Sequence, residues 1–147
     1  SSFFSEFNQL RIMNLAKNSI SFIPSNFFTS FKILADLDLS QNIIEKIAFD
    51  AFKHLFKLGN LNISFNELKK IDNSLFKDLN RLIRLDVKKN HINYLDEHIF
   101  ENLIFLEYLD LSYNKIEIIS SVLFLNLIKL IDINLSFNRI HFIERFS

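Results

Sequence analysis

The chain of 147 residues contains no cysteine, one glycine and one proline. The absence of cysteine excludes a disulfide framework, a thiolate zinc site and a cysteine nucleophile. Basic and acidic residues number 17 each, and this zero net charge argues against a nucleic-acid-binding module, which usually carries a basic excess. We therefore expect no nucleic-acid partner, no metal ion and no cofactor.

Long apolar runs are missing as well. The most apolar stretch, residues 116–131, is interrupted by Glu117, Asn126 and Lys129, whereas a membrane span needs about 20 mostly apolar residues. The first six residues lack the basic and apolar regions of a signal peptide. Apolar residues still make up 49% of the chain, which is enough for the core of one domain.

The scarcity of glycine and proline leaves the turns without their usual residues. Asparagine, present 17 times, is the obvious substitute because its side chain can bond nearby backbone groups. Six of these asparagines are spaced by 24 residues, and one leucine and one phenylalanine column keep the same spacing. The columns are Asn18, Asn42, Asn66, Asn90, Asn114 and Asn138; Leu10, Leu34, Leu58, Leu82, Leu106 and Leu130; and Phe4, Phe28, Phe52, Phe76, Phe100 and Phe124.

Numbered from each of these leucines, the pattern L-x-x-L-x-L-x-x-N-x-I-x-x-I-x-x-x-x-F-x-x-L resembles the typical 24-residue leucine-rich repeat, with residues 106–116 as a near-ideal copy. The resemblance implies an α/β repeat fold: a right-handed solenoid with a concave parallel β-sheet and a mostly irregular or 3₁₀ convex side. It covers residues 1–147 as a partial repeat 1–9 and repeats that start at 10, 34, 58, 82, 106 and 130, without caps.

The residues support this geometry independently. Positions 3 to 7 alternate as a strand requires, so positions 4 and 6 should point inward and positions 3 and 5 outward. The crossover between parallel strands should be right-handed. We expect the asparagine at position 9 to turn the chain and to bond buried backbone of adjacent repeats, forming a ladder. The phenylalanine at position 19 should fill the space behind the sheet.

Positions 3, 5 and 8 should face solvent, so their residues are the candidates for ligand binding. The Asp and Asn residues at position 5 are either a habit of the repeat or an acidic stripe for a basic partner. Position 8 either tucks against the loop edge or belongs to a binding patch, since aromatic residues and arginine carry much interface energy. The predicted ligand-binding residues on the concave face are Phe65, Arg84, Asp86, Lys89, Tyr108, Asp110, Tyr113 and Phe137.

Catalytic chemistry has little support in the sequence. The four histidines occupy four different repeat positions without metal-ligand spacing, and no phosphate loop or nucleophile elbow occurs. We expect no enzyme activity. Two glycosylation sequons, at Asn62 and Asn134, are as many as chance produces; a glycan at either would project onto the concave face.

The predicted function is non-catalytic protein–protein recognition, with a protein ligand on the concave face. The repeats are similar to those of Toll-like receptor and Slit-like ectodomains, which implies an extracellular or cell-surface receptor or adhesion protein with a role in immunity or adhesion. Such proteins usually carry cysteine-rich caps, which this chain lacks. A structural or self-assembling array and a cytosolic scaffold are the alternatives. Because the chain starts and stops inside a repeat, we expect a fragment of a longer array, or ends that contact further repeats or other chains.

Overall fold

A computed structural model of the protein describes residues 6–144. One three-residue strand begins two residues after the first leucine of each repeat, and four repeats carry a second strand of two residues. In chain order the strands are β1 (Ile12–Asn14), β2 (Phe22–Ile23), β3 (Asp36–Asp38), β4 (Lys46–Ile47), β5 (Asn60–Asn62), β6 (Arg84–Asp86), β7 (Tyr108–Asp110), β8 (Ile118–Ile119), β9 (Asp132–Asn134) and β10 (Phe142–Ile143).

The three-residue strands form one parallel sheet in the order β1-β3-β5-β6-β7-β9. Each strand residue pairs with the residue 24 positions later, as Met13 does with Leu37 and Leu85 with Leu109. The sequence period is therefore the register of the sheet, and equivalent residues of successive repeats form straight rows. Neighbouring residues of a row lie about 4.8 Å apart. This is the parallel solenoid that the repeat predicted.

The core lies behind the sheet and consists of the inward columns. Leu58, Leu85 and Ile63, at positions 1, 4 and 6, are fully buried. Phe28, Phe52, Phe76 and Phe100 at position 19 are buried as well, Phe124 is partly buried, and the predicted Phe4 lies outside the described residues. Phe76, Phe100 and Phe124 stack in succession, with 6.3 Å between the ring centroids of Phe76 and Phe100. Each such side chain contributes about 1.5–3 kcal/mol when it is fully buried. The alternation of strand residues and the phenylalanine column are confirmed.

The predicted asparagine ladder is present. Asn90 accepts the N–H of Leu68 through Oδ1 at 3.0 Å, and its Nδ2 donates to the carbonyl oxygens of Ile63 and Val87 at 3.0 and 3.1 Å. Asn42, Asn66, Asn114 and Asn138 repeat these contacts. Asn18 differs, because the described residues give it only local bonds to Leu15 and Ala16. In the five repeats that start at residues 34, 58, 82, 106 and 130, the ladder therefore joins the repeat to the preceding one through hydrogen bonds to backbone groups.

The turn itself is made by a different residue from the one expected. The residue before each asparagine, at position 8, adopts a left-handed backbone, and the asparagine then fixes the chain by its side-chain bonds. All six residues at this position have φ between 52° and 58°: Lys17, Gln41, Phe65, Lys89, Tyr113 and Phe137. None is glycine, although a left-handed backbone costs other L-residues roughly 1–2 kcal/mol.

The convex side is irregular, as expected, but residues 6–144 contain neither an α-helix nor a 3₁₀ helix. Turns alternate with the short strands, which pair as β2 with β4 and β8 with β10. The fold belongs to the repeat class predicted, yet strands and turns alone build it over the described residues. No helix in this range is long and apolar enough to cross a membrane.

Candidate recognition surface

The outer face of the six-stranded sheet brings the predicted ligand-binding residues into three rows. Position 3 contributes Arg84 and Tyr108, and position 5 contributes Asp86 and Asp110, which are paired across β6 and β7. The position 8 residues follow just beyond the strand ends, and all six are exposed rather than tucked against the loop edge. The predicted set therefore forms one continuous surface, which we call the sheet face.

Arg84 and Tyr108 make the central contact of the position 3 row. The guanidinium carbon of Arg84 lies 4.3 Å from the centroid of the Tyr108 ring, within the range of a cation–π interaction. Both residues line a shallow hollow of about 250 Å³ that also includes Asp86, Asp110 and Asp132. The hollow places one cation and one aromatic ring beside three carboxylates.

The position 5 side chains have a structural task that explains their repetition. Each accepts the backbone N–H of the residue two positions later through Oδ1, as Asp86 does from Lys88 at 2.9 Å and Asp110 from Ser112 at 2.8 Å. Asn14, Asp38, Asn62 and Asn134 make the same bond. The residue type at position 5 is therefore set by the strand end, which needs an acceptor that Asp and Asn supply equally. Its charge is not set by this bond.

Asp86 is the carboxylate whose proton affinity is shifted on the sheet face. Burial raises the pKa of Asp86 above its ordinary value, and the charge of Asp110 on the neighbouring strand raises it further. The bond from the Lys88 N–H and the positive charges of Lys88 and Arg84 oppose these effects. The register places Asp86 beside Asp110 on the neighbouring strand, which is mildly unfavourable because like charges repel.

Aromatic rings and lysines form a cluster at the strand ends. The rings of Tyr113 and Phe137 are stacked, with 4.2 Å between centroids and 10° between planes. Nζ of Lys89 lies 5.0 Å from the Phe65 ring, and Nζ of Lys88 lies 5.5 Å from the Tyr113 ring and 5.9 Å from the Phe65 ring. We call these five residues the ring–lysine cluster.

Lys88 is the member that the sequence analysis missed. It occupies position 7, where the other repeats have Ala16, Ser40, Ser64, Ser112 and Ser136. Three of these serines are buried, whereas Lys88 is half-buried and reaches two rings of the sheet face. The signal that points to it is this break in a column of small residues.

The leucine-rich repeat family model matches residues 8–68, 56–116 and 85–140, which is most of the chain. The protein belongs to the leucine-rich repeat family. Members of this family are generally protein-interaction modules rather than enzymes. A search of curated proteins finds no match.

Solved leucine-rich repeat structures share the fold. TLR13, crystallised as a complex with the single-stranded RNA ssRNA13, is 34% identical over 95% of this chain, with a TM-score of 0.87. The leucine-rich repeat domain of APL1 is 24% identical over 100% of it, with a TM-score of 0.89. The structure of the Drosophila Toll–Spatzle complex is 24% identical over 95%, with a TM-score of 0.79. This chain spans only 20%, 38% and 22% of those three chains.

Three histidines of this leucine-rich repeat chain lie within 4.0 Å of carboxylates. His91 contacts Glu67 at 2.7 Å and His54 lies 3.9 Å from Asp78, and residues 6–144 hold no group of three or more potential metal ligands. Both sequon asparagines, Asn62 and Asn134, lie at the ends of strands of the sheet face. Among the described residues, the ring–lysine cluster and the Arg84–Tyr108 hollow are the contiguous features of mixed chemistry on that face.

Proposed function

We propose that the protein recognises a protein ligand through the sheet face of β5, β6, β7 and β9. The observation that carries this proposal is the ring–lysine cluster, in which three large aromatic side chains stay exposed beside two lysines at the strand ends. Phe65, Tyr113 and Phe137 expose 39%, 43% and 68% of their surface. Exposed aromatic groups of this kind, grouped with cations, are typical of interface hot spots.

The rigidity of the sheet supports the same function. Six paired strands and five rungs of the ladder hold the rows in register, so little conformational entropy is lost when a ligand binds. The proposed contact set consists of Lys88 and the residues predicted from the sequence: Phe65, Arg84, Asp86, Lys89, Tyr108, Asp110, Tyr113 and Phe137.

The test is selection of binding peptides from a displayed random library, followed by calorimetry on variants. Replacing both Tyr108 and Tyr113 by Ala should cost about 2 kcal/mol or more of binding free energy. Replacing the exposed convex residues Lys53 and Lys77 by Ala should change it by no more than about 0.5 kcal/mol. A larger loss from the convex pair would contradict the proposal.

We also propose that the protein acts outside the cell or at its surface, as a receptor or adhesion protein. Support comes from the 34% identity to the TLR13 chain over 95% of this chain. Antibody labelling of intact and permeabilised source cells tests the compartment. Labelling that requires permeabilisation would favour a cytosolic scaffold instead.

A further inference from the structure

The charges of the sheet face are separated by row. Positions 3 and 5, along the strands, carry five aspartates and one arginine, whereas positions 7 and 8, at the strand ends, carry three lysines and no acid. The acidic rows contain Asp36, Asp38, Asp86, Asp110 and Asp132 with Arg84; the basic rows contain Lys17, Lys88 and Lys89. The face therefore has an acidic band and a basic edge, and both meet around β6.

These charges are not neutralised within the molecule. Over residues 6–144, the ion pairs within 4.0 Å all involve a histidine, so neither Arg84, Lys88 nor Lys89 pairs with a carboxylate. The three cations lie against aromatic rings instead. A ring contacts only part of an ammonium or guanidinium group, and the remaining N–H donors stay available to an anion.

We infer that the ligand is an extended polypeptide segment with two opposite charges: an acidic side chain that binds Lys88 and Lys89, and a basic side chain that binds Asp86 and Asp110. This inference rests on the proposed function. Asp86 at position 5 is two residues from Lys88 and three from Lys89 along the chain, which corresponds to at most about 10 Å at a rise of about 3.3 Å per residue. An extended ligand spans that distance with an acidic and a basic residue about three positions apart.

Aromatic rings beside lysines also suit single-stranded nucleic acid, whose bases stack and whose phosphates need cations. The acidic band argues against a nucleic acid, because the sheet face carries five carboxylates and only four cations. The carboxylates of Asp86 and Asp110 also lie next to the ring–lysine cluster. Phosphates bound at Lys88 would be repelled by these groups. A polypeptide can place a cation where the nucleic acid would place a second phosphate.

The repeats themselves supply the substitutions that test this inference without disturbing the fold. Lys88→Ser introduces serine, which four other repeats have at position 7. Lys89→Gln introduces glutamine, which the second repeat has at position 8 as Gln41. Asp86→Asn and Asp110→Asn follow Asn62 and Asn134, whose Oδ1 atoms make the same backbone bond. Circular dichroism confirms that each variant is folded.

The experiment uses peptides selected from the displayed library and an oligouridine of about 12 nucleotides as the nucleic-acid probe. Selected peptides should be enriched in Lys or Arg about three residues from Asp or Glu. The pair Lys88→Ser with Lys89→Gln should weaken their binding at least fivefold, about 1 kcal/mol. The loss should shrink when the acidic residue of the peptide is replaced by Ser. The pair Asp86→Asn with Asp110→Asn should weaken binding by a similar factor. That loss should shrink when the basic residue of the peptide is replaced by Ser.

The outcomes separate the inference from the proposed function. One outcome would overturn the inference and leave the proposed function intact. In it, the peptides lose affinity for the variant with Tyr108→Ala and Tyr113→Ala but bind the lysine double variant and the aspartate double variant as tightly as the unsubstituted protein. Peptides indifferent to the tyrosine pair and to both charge pairs, or a library that yields no binder, would overturn both. Oligouridine that binds more tightly than the peptides, and more tightly still after Asp86→Asn with Asp110→Asn, would replace the polypeptide by a nucleic acid.

Discussion

Removal of one rung of the asparagine ladder is the sharpest test of how the repeats are held together. In Asn90→Ala the N–H of Leu68 loses its Oδ1 acceptor, and this N–H belongs to a buried residue with no other bond among the described contacts. Each of the three carbonyl oxygens that Asn90 binds keeps another donor. That of Lys88, the most distant at 3.5 Å, keeps the bond from the Phe65 N–H. That of Ile63 keeps a bond from Asn66, and that of Val87 keeps one from Asn114.

These contacts fix the expected magnitude. One buried N–H left without a partner costs about 1–3 kcal/mol, and the two shorter of the lost bonds to carbonyls that retain a donor add at most about 1 kcal/mol each. We therefore expect Asn90→Ala to lower the free energy of unfolding by about 2–4 kcal/mol. Urea denaturation followed by circular dichroism measures it, with an unchanged slope on denaturant as the sign that only stability has changed.

The matched control is the same substitution at Asn18, whose described bonds are two local ones on the exposed side of the first repeat. Asn18→Ala should cost no more than about 1 kcal/mol. The half-buried Lys115 side chain offers a second comparison, and Lys115→Ala should cost no more than about 1 kcal/mol. Equal losses for Asn90→Ala and Asn18→Ala would refute the argument that inter-repeat bonds carry the stability.

Two further predictions concern the sheet face and the core. Since burial and Asp110 raise the pKa of Asp86 in the folded state, its ionised form opposes folding; Asp86→Asn should therefore raise the melting temperature at pH 7. The gain should shrink as the pH falls through the folded-state pKa towards the ordinary value of 3.8, and a gain that grows on acidification would contradict this assignment. Phe100→Ala, which removes a buried ring between Phe76 and Phe124, should cost about 3–5 kcal/mol in urea denaturation, against about 1 kcal/mol or less for the half-exposed Phe105→Ala.

Much of the fold follows from the sequence because the 24-residue period is unbroken. A constant period forces a constant register, so the rows of the sheet, the inward columns and the ladder could all be assigned before the structure. The ladder was predictable from residue type as well, since asparagine carries both a donor and an acceptor. These features depend on what every repeat shares.

Features that differ between chemically similar repeats could not be predicted. Ile47 lies in a strand of the convex side and Ile71, its equivalent in the next repeat, does not, although both are isoleucine after lysine. The contacts of Lys88 depend on its side-chain conformation, which no period specifies. The left-handed backbone at position 8 has no signal in residue type, because Lys, Gln, Phe and Tyr do not favour it.

That left-handed column links the fold to the sheet face. Glycine would relieve the backbone at position 8, but it would remove the side chains that project from the strand ends. The chain instead keeps a long or aromatic side chain there in all six repeats. Left-handed residues also occur in the turns of the convex side, at Asn26 and His54, but strained backbone is common at binding surfaces, which supports the proposed role of the sheet face.

Gln41 allows this strain to be measured apart from the ring–lysine cluster, because its side chain is exposed and its φ is 53°. Gln41→Gly removes a left-handed cost of about 1 kcal/mol and adds a similar entropic cost in the unfolded chain, so stability should stay equal or rise slightly. Gln41→Val places a β-branched residue in the same conformation and should lose about 1–2 kcal/mol. Both values come from urea denaturation. A glycine variant less stable than the valine variant would show that position 8 carries no backbone strain, and that its side chains need no functional reason to be there.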